Sequence, residues 1–108
     1  MEKIVFINLT PHIIKEVNTG LEIPPSGTVA RVSVTYTKVD EINGIPVFQR
    51  TYGDVVNLPD PTPNTIYIVS GMVNAVPEIA NRNDVVSPGE LVRDSEGKPI
   101  GCNGFSLK

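Results

Sequence analysis

The clearest alternation of apolar and polar side chains lies in the run Ala30-Arg31-Val32-Ser33-Val34-Thr35-Tyr36-Thr37. A period of two predicts a β-strand with one buried and one polar face. Asn43-Gly44 follows, and both residues tolerate the positive φ angles that a type I′ turn requires. We therefore predict a hairpin in which a strand over residues 29–42 turns back into a strand over residues 45–52. Pro46 lacks a backbone N–H, which confines the second strand to a sheet edge or gives it an irregular start.

Other apolar runs rich in β-branched residues predict further strands. These runs are residues 4–9, 13–17, 65–69, 90–93 and 100–107. The first is expected to be buried and the third to lie in the centre of a sheet. A turn at residues 94–97 joins the last two runs into a closing hairpin.

One segment has helical spacing. Apolar residues separated by one, three and four positions predict a short amphipathic helix. They are Met72, Val73, Val76, Ile79 and Ala80. Pro77 limits this helix or starts its second half. Residues 58–63 contain three prolines and are expected to form an extended surface loop.

The composition indicates a single globular unit. The chain has 108 residues, of which 40% are hydrophobic and 19% are charged, and this is the length of one ordinary domain. Ten prolines and nine glycines separate the predicted strands, which favours short turns. We predict one domain over residues 1–108 of the β-rich α+β class, with a single small, mainly antiparallel sheet or partial barrel and one short helix.

The charge restricts the possible partners. The formal net charge is −3 at pH 7, and the nine basic residues are scattered along the chain. A broad nucleic-acid interface needs clustered Lys and Arg, so no extended nucleic acid is expected as a partner. Two or three arginines in one pocket still suffice to bind a small anionic or nucleotide-like molecule.

The numbers of cysteines and histidines exclude some kinds of site. One cysteine and one histidine exclude an intrachain disulfide and the four-cysteine zinc sites, and we predict neither a metal nor a cofactor. The apolar run near the start covers only residues 4–7, which is too short for a signal peptide or a membrane span. We expect a cytoplasmic protein without a membrane partner.

Polar residues crowd between glycines and prolines in the last quarter of the chain. Tight turns there bring charged groups, hydroxyls and backbone N–H groups together, a combination that suits phosphate and ribose. An arginine on the polar face of the best strand and the histidine at a strand end extend this set. The candidate ligand-binding residues are Arg82, Arg93, Asp84, Ser87, His12 and Arg31. No residue is assigned a catalytic or metal-binding role.

Each candidate also has a structural interpretation. The arginines can be solvated or paired with acidic neighbours such as Asp84, and an exposed pair is worth about 0 to 1 kcal/mol. His12 can hydrogen-bond a backbone carbonyl beside a turn. Asn8 and Thr10 can close a turn through their side chains. Cys102 fits a small buried hydrophobe better than a nucleophile.

Several motifs carry a resemblance. They are Asn8-Leu9-Thr10-Pro11-His12, Pro25-Ser26-Gly27 followed by Ala30-Arg31, Tyr67-Ile68-Val69-Ser70, Ser87-Pro88-Gly89 with Arg93-Asp94, and Ile100-Gly101-Cys102. Together they resemble a family of short proteins encoded by bacteria and tailed phages, over nearly the whole chain. The resemblance transfers no activity. It implies a small cytosolic, phage-borne protein of the size often used to interfere with host processes, acting in the host cytoplasm.

Three functions fit these observations. The first is non-enzymatic binding of a small ligand, in which a phage protein sequesters a nucleotide-derived host immune signal. The second is a protein-interaction or inhibitor module that uses residues 58–63, and the third is a small hydrolase that uses His12. Catalysis is less favoured because the chain lacks a phosphate loop, a Gly-x-Ser-x-Gly elbow and paired histidines. We also expect a homo-oligomer, a dimer or higher, because a small sheet leaves edges to cover.

Overall fold

A computed structural model describes residues 3–79 and 81–107. Over these residues the protein has eight β-strands, one four-residue α-helix and one 3₁₀ turn. The strands are β1 (Val5–Asn8), β2 (Ile14–Glu16), β3 (Leu21–Ile23), β4 (Arg31–Ile42), β5 (Ile45–Val56), β6 (Thr65–Ile68), β7 (Val85–Arg93) and β8 (Pro99–Ser106). The helix α1 is Gly71–Asn74 and the 3₁₀ turn is Pro77–Ile79. The predicted β-rich class with one short helix is confirmed.

Six of the described strands form a curled sheet in the order β1-β6-β7-β8-β2-β3. Pairs β7–β8 and β2–β3 are antiparallel, whereas β1–β6, β6–β7 and β2–β8 are parallel. Antiparallel ladders, including that of β4–β5, supply most of the paired residues. The side chain of Asn8 in the outer strand β1 donates to the backbone oxygen of Ile23 in the other outer strand, β3. The sheet is therefore a nearly closed partial barrel.

Strand β6, which lies between β1 and β7, contributes side chains to both faces of the sheet. Because successive side chains of a strand point to opposite faces, β6 contributes to two hydrophobic clusters. Tyr67 and Val69 pack with Val73 of α1 and Ile79 of the 3₁₀ turn. Ile68 lies in a second cluster with residues of β2, β3, β7 and β8. Residues 65–68 thus form an interior strand that is paired on both sides, but it lies next to the edge strand β1 and not at the predicted centre of the sheet.

Strands β4 and β5 pair with each other and form a separate two-stranded sheet, which we call the ribbon (residues 31–56). Ile42 pairs with Ile45 across a two-residue turn, where φ is 50° at Asn43 and 79° at Gly44. These positive angles confirm the predicted type I′ hairpin. Strand β5 continues to Val56, beyond the predicted end at residue 52. The rest of the described chain, the curled sheet with α1 and the 3₁₀ turn, is called the body.

Two strand segments were not predicted. One is β3, and the other is the first half of β7, where Pro88 and Gly89 indicated a turn. Pro88 instead pairs with Phe105 of β8. A Cβ on Gly89 would collide with the backbone oxygen of Asn103, so this glycine serves the close approach of two strands.

The helix is shorter than predicted. It begins after Ser70, whose Oγ accepts from the backbone N–H of Val73 (3.3 Å), and ends at Asn74. Pro77 then starts a 3₁₀ turn, since proline cannot supply the N–H that would continue an α-helix. Ala80, the last residue of the predicted pattern, lies outside the described residues. In the described ranges, neither helical element has the length and apolar character needed to cross a membrane.

Candidate ligand-binding pockets

The side chain of Asn8 fixes the segment that follows β1. Its Nδ2 donates to the backbone oxygens of His12 (2.7 Å) and Ile23 (2.9 Å). Its Oδ1 accepts from the backbone N–H (2.9 Å) and the hydroxyl (2.7 Å) of Thr10. An amide has two donors and two acceptor positions, so this side chain is fully used, at 1% exposure. The structural interpretation of Asn8 and Thr10 is confirmed.

The start of the ribbon is attached to this same segment. The backbone N–H and the hydroxyl of Ser26 donate to the backbone oxygen of Asn8 (3.0 and 2.8 Å). The N–H of Ala30 donates to the backbone oxygen of Leu9 (3.0 Å). Residues 8–12 therefore form a fixed wall, with one pocket lined by Leu9 to Pro11 and another by His12.

The first pocket lies where the ribbon leaves the body, and we call it the ribbon-base pocket. It is open, has a volume of about 310 Å³, and is formed by residues 9–11, 29–32, 70 and 72–73. Leu9, Ala30 and Val73, all buried core residues, give it an apolar floor. Arg31 stands exposed on its wall, and its guanidinium has no hydrogen bond or ion pair among the residues that the structure describes. The hydroxyls of Ser70 and Thr10 also line the pocket, and that of Thr10 is already hydrogen-bonded to Asn8.

The second pocket lies across strands β2, β8 and β7, and we call it the β2–β8 pocket. It is also open, has a volume of about 670 Å³, and is formed by residues 12–15, 88–89, 91 and 99–102. His12 and Lys15 are exposed, and no described residue hydrogen-bonds or pairs with either side chain. Cys102 belongs to the core and is 5% exposed, as the structural interpretation of this residue expected.

Gly101 explains how β2 and β8 approach each other beneath this pocket. A Cβ at this position would lie 2.7 Å from the backbone oxygen of Lys15 and 2.9 Å from Cγ1 of Val17. The N–H of Val17 donates to the backbone oxygen of Cys102 (2.9 Å). The Ile100-Gly101-Cys102 motif therefore has a packing reason that needs no ligand.

Arg82 and Asp84 meet in a bidentate ion pair. Nε and Nη2 of Arg82 donate to the two carboxylate oxygens of Asp84 at 2.7 and 2.8 Å. These hydrogen bonds raise the pKa of Arg82 and lower the pKa of Asp84 from their usual values. Nη2 of Arg82 also donates to the backbone oxygen of Pro59 (3.0 Å). This pair ties the exposed loop 58–63, present as predicted, to the start of β7.

Ser87 and Arg93 also have partners within the chain. The hydroxyl of Ser87 accepts from Nδ2 of Asn74 (3.0 Å) and is buried beneath α1. Nη1 of Arg93 donates to the backbone oxygen of Gly97 (2.8 Å) in the turn of the closing hairpin. Asp94 caps the same turn, because its Oδ1 accepts from the N–H groups of Glu96 and Lys98 (2.9 Å each). The polar groups of this segment thus support its own turns.

The structure distributes the six predicted site residues over several places. Arg31 lines the ribbon-base pocket and His12 lines the β2–β8 pocket. The pair of Arg82 and Asp84 lines neither of these two pockets, nor do the other two candidates, Ser87 and Arg93. Their contact with a ligand stays a prediction.

Lys15 was not among the predicted residues. The sequence pattern could have identified it, because Lys15 lies in β2 between two buried residues, and a side chain at such a position points outwards. Residues 70–73, placed on a predicted helix, were likewise not recognised as a pocket wall. Residues of this segment line the ribbon-base pocket because the fold places α1 beside residues 9–11 and 29–32, which are distant in the sequence.

Compared with protein-family models, with curated proteins and with solved structures, the chain has no match. In residues 3–79 and 81–107, no three His, Cys, Asp or Glu side chains gather into a group that could hold a metal ion.

Proposed function

We propose that the protein is a non-enzymatic binding protein that holds a small phosphate-bearing or nucleotide-like anion in the ribbon-base pocket. The observation that carries this proposal is Arg31, a cation without a described partner on the wall of a pocket with an apolar floor. A guanidinium presents planar, paired donors to a phosphate. The hydroxyl of Ser70 supplies a second donor at the rim.

The size of the pocket sets the kind of ligand. Its volume of about 310 Å³ is at the lower end of the range of roughly 300 to 1,000 Å³ for small-molecule sites. One phosphate-bearing unit with a small apolar or ring portion fits this space. The net charge of −3 works against longer polyanions, which need several cations in a row.

Sequestration is the biological role that we attach to this binding. The resemblance to proteins of bacteria and tailed phages supports a chain that acts in the host cytoplasm and lowers the free concentration of a nucleotide-derived immune signal. Such a role requires a tight pocket and sufficient protein, and it requires no turnover. A homo-oligomer, which multiplies the number of pockets per particle, is part of the proposal.

Native mass spectrometry followed by calorimetric titration tests the proposal. The probes are adenosine monophosphate, cyclic dinucleotides and cyclic ADP-ribose isomers, mixed with freshly purified protein. Loss of one charge-assisted contact costs about 1.5 to 3 kcal/mol. We therefore expect Arg31→Ala to weaken binding roughly ten- to a hundredfold, and Arg93→Ala, an equally exposed arginine of the closing hairpin, to bind as the wild type does.

The reverse result would place the site at the closing hairpin, where the sequence analysis put it. Equal binding by both variants would remove the arginines from the site altogether. If no probe binds the wild-type protein at about 100 μM, a concentration typical of weak specific ligands, the proposed ligand class is wrong.

A small hydrolase is a second candidate, favoured by one observation. His12 and Cys102, the only residues of their kinds, line the same pocket. A thiol hydrolase built on His12 and Cys102 would also use an acidic residue such as Asp84, but Asp84 pairs with Arg82. Catalytic histidines are usually oriented by a third group, and no described residue hydrogen-bonds this imidazole. The same spectra distinguish the candidates, since a hydrolase releases products of altered mass and a binding protein returns its ligand unchanged.

A further inference from the structure

Beyond its base, where Val32 and Val55 pack against the core of the body, the ribbon is largely exposed. No residue between Arg31 and Val56 is buried, and all of them are described. The radius of gyration is 16.8 Å, whereas a compact domain of this length has about 13 Å, which is consistent with a projecting arm. A two-stranded hairpin alone is at best marginally stable in water. The part of the ribbon beyond its base therefore has little packing of its own, and a surface that covers one of its faces would stabilise it.

The register of the ribbon divides its side chains into two different faces. Cross-strand partners share a face, and faces alternate along a strand. The pairs Val34–Tyr52, Tyr36–Arg50 and Lys38–Phe48 all lie on one face, which we call the aromatic face. The opposite face carries the pairs Thr35–Thr51 and Thr37–Gln49. The ion pair between Lys38 and Glu41 (3.6 Å) agrees with this division, because the register shift after Lys38 returns Glu41 to the aromatic face.

Large apolar rings are exposed on the aromatic face. Tyr36 is 63% exposed, Phe48 is 51% exposed and Tyr52 is 40% exposed. They are three of the six Phe and Tyr residues in the chain. Arg50 lies among them and has no hydrogen bond or ion pair with any described residue. Tyrosine and arginine are the residues most enriched where protein interfaces concentrate their binding energy.

The edges of the ribbon, in contrast, are protected against strand addition. The ladder of β4 is interrupted by register shifts at Val32/Val34 and at Lys38/Asp40. Pro46 removes one donor from β5. Bulges and proline at an edge are devices that block edge-to-edge pairing. A partner therefore has to pack on the face of the ribbon.

The charge distribution favours a second copy of this chain as that partner. The ribbon holds three basic residues (Arg31, Lys38, Arg50) and three acidic residues (Asp40, Glu41, Asp54), so the net charge of −3 lies entirely outside it. Two copies repel each other least where each is neutral. In a two-fold contact each copy presents both its aromatic rings and its unpaired Arg50, and a guanidinium packs favourably on such a ring.

The available area is also sufficient. Beyond the base, the paired residues 34–42 and 45–52 extend over about 30 Å. With the side chains that flank two strands, one face of this length presents on the order of 500 to 600 Å², close to the roughly 600 Å² per partner at the lower end of stable interfaces. We propose that two copies of this chain associate through the aromatic faces of their ribbons. This assigns a surface to the proposed homo-oligomer and does not depend on ligand binding.

Analytical ultracentrifugation tests this pairing with two charge-introducing variants on neighbouring residues of β5. Phe48→Glu places a carboxylate on the aromatic face, and Gln49→Glu places the same group on the opposite face. We expect the wild type and Gln49→Glu to sediment as dimers or larger even-numbered oligomers at about 10 μM, which lies above the micromolar upper end of dissociation constants for standard-sized interfaces. Phe48→Glu is expected to be monomeric. Circular dichroism of both variants checks that they are folded.

A milder variant covers the case in which Phe48→Glu does not fold. Phe48→Ala removes the ring from both copies and should raise the dimer dissociation constant by about a thousandfold, which is roughly thirtyfold for each dominant interface residue lost. A wild-type protein that is monomeric at 100 μM overturns the proposal. Oligomers that respond equally to Phe48→Glu and Gln49→Glu overturn it as well, because a contact elsewhere on the chain then holds them together.

Discussion

The body and the ribbon obtain their structure from different ranges of sequence. In the body, β1 pairs with β6, so that Val5 lies beside Thr65, and β2 pairs with β8 through Glu16 and Cys102. Strands β1, β2, β3 and β6 have only three or four residues each, and the pairings β1–β6 and β2–β8 join segments that are far apart in the chain, although β2–β3 and β7–β8 are local hairpins. In the ribbon, two strands of twelve residues pair across the Asn43-Gly44 turn, and their register follows from that turn.

The body and the ribbon also differ in whether their polar side chains have partners within the chain. In the body, the side chains of Asn8, Arg82 and Ser87 are each occupied by partners within the chain. On the ribbon, Arg31 and Arg50 have no partner among the described residues. Most of the motif residues that look chemical in the sequence thus build the body. Side chains without a described partner lie on the ribbon, as Arg31 and Arg50 do, and also at the β2–β8 pocket of the body, as His12 and Lys15 do.

The largest expected effect comes from a matched pair of isoleucines. Ile68 in β6 is 0% exposed, and Ile45 at the tip of the ribbon is 65% exposed. Because a buried isoleucine leaves a cavity in a packed core, Ile68→Ala should lower the free energy of unfolding by about 2 to 5 kcal/mol. Ile45→Ala should change it by less than about 0.5 kcal/mol. Chemical denaturation followed by circular dichroism measures both, and similar losses would show that the ribbon is as tightly integrated as the body.

A somewhat smaller effect is expected from exchanging an amide for a carboxylate in each region. Asn8→Asp removes the donor that serves the backbone oxygens of His12 and Ile23 and sets a carboxylate oxygen against them. Buried groups that lose a partner cost about 1 to 3 kcal/mol each, so we expect a loss of about 2 to 4 kcal/mol. Gln49→Glu, the same chemical change on the exposed ribbon, should be nearly neutral. Equal melting temperatures for Asn8→Asp and the wild type would mean that the side chain does not close the barrel.

The fold could be predicted from the sequence where local pattern determines it. The alternation before Asn43-Gly44 identified the two strands of the ribbon, but the buried face that it also predicted is wrong, because no residue of β4 is buried. The apolar run at residues 65–69 identified the interior strand β6. Strand β3 and the start of β7 were missed, because three residues carry little periodicity and because Pro88 and Gly89 also suit a turn. Their strand conformation comes from tertiary packing, in which Gly89 lets β7 approach Asn103 of β8.

The candidate site could be predicted less well. Crowding along the chain suggested that Arg82 and Arg93 converge on one point, but each is bound to its own neighbours, Asp84 and Gly97. Sequence proximity does not tell whether a charged group faces a pocket or supports a turn. A period of two does indicate which face of a strand is polar, and Arg31, predicted on that face, lines the ribbon-base pocket. Its contact with a ligand stays a prediction.

Glu16 provides the last test, since it joins β2 to β8 through a carboxylate. Its Oε2 accepts from the N–H groups of Asn18 (3.1 Å) and Gly104 (2.9 Å) and from Nδ2 of Asn18 (2.7 Å). Its Oε1 accepts from the N–H (2.9 Å) and hydroxyl (3.0 Å) of Thr19. These hydrogen bonds lower the pKa of Glu16 from 4.5 to about 2, and the largest contributions come from the backbone N–H groups of Asn18 and Gly104.

The sign of the pH dependence follows from this lowered pKa. The contribution of ionised Glu16 to stability is complete above pH 4.5 and is lost as the pH falls towards 2. Glu16→Gln keeps the shape and one acceptor oxygen, so its effect at neutral pH should be smaller than that of Asn8→Asp. Thermal unfolding at pH 7, 4.5, 3 and 2 should show the variant melting below the wild type by a margin that is constant down to about pH 4.5, then narrows, and nearly closes at pH 2. A margin that stays the same at every pH would mean that the charge of Glu16 does not hold this part of the body together.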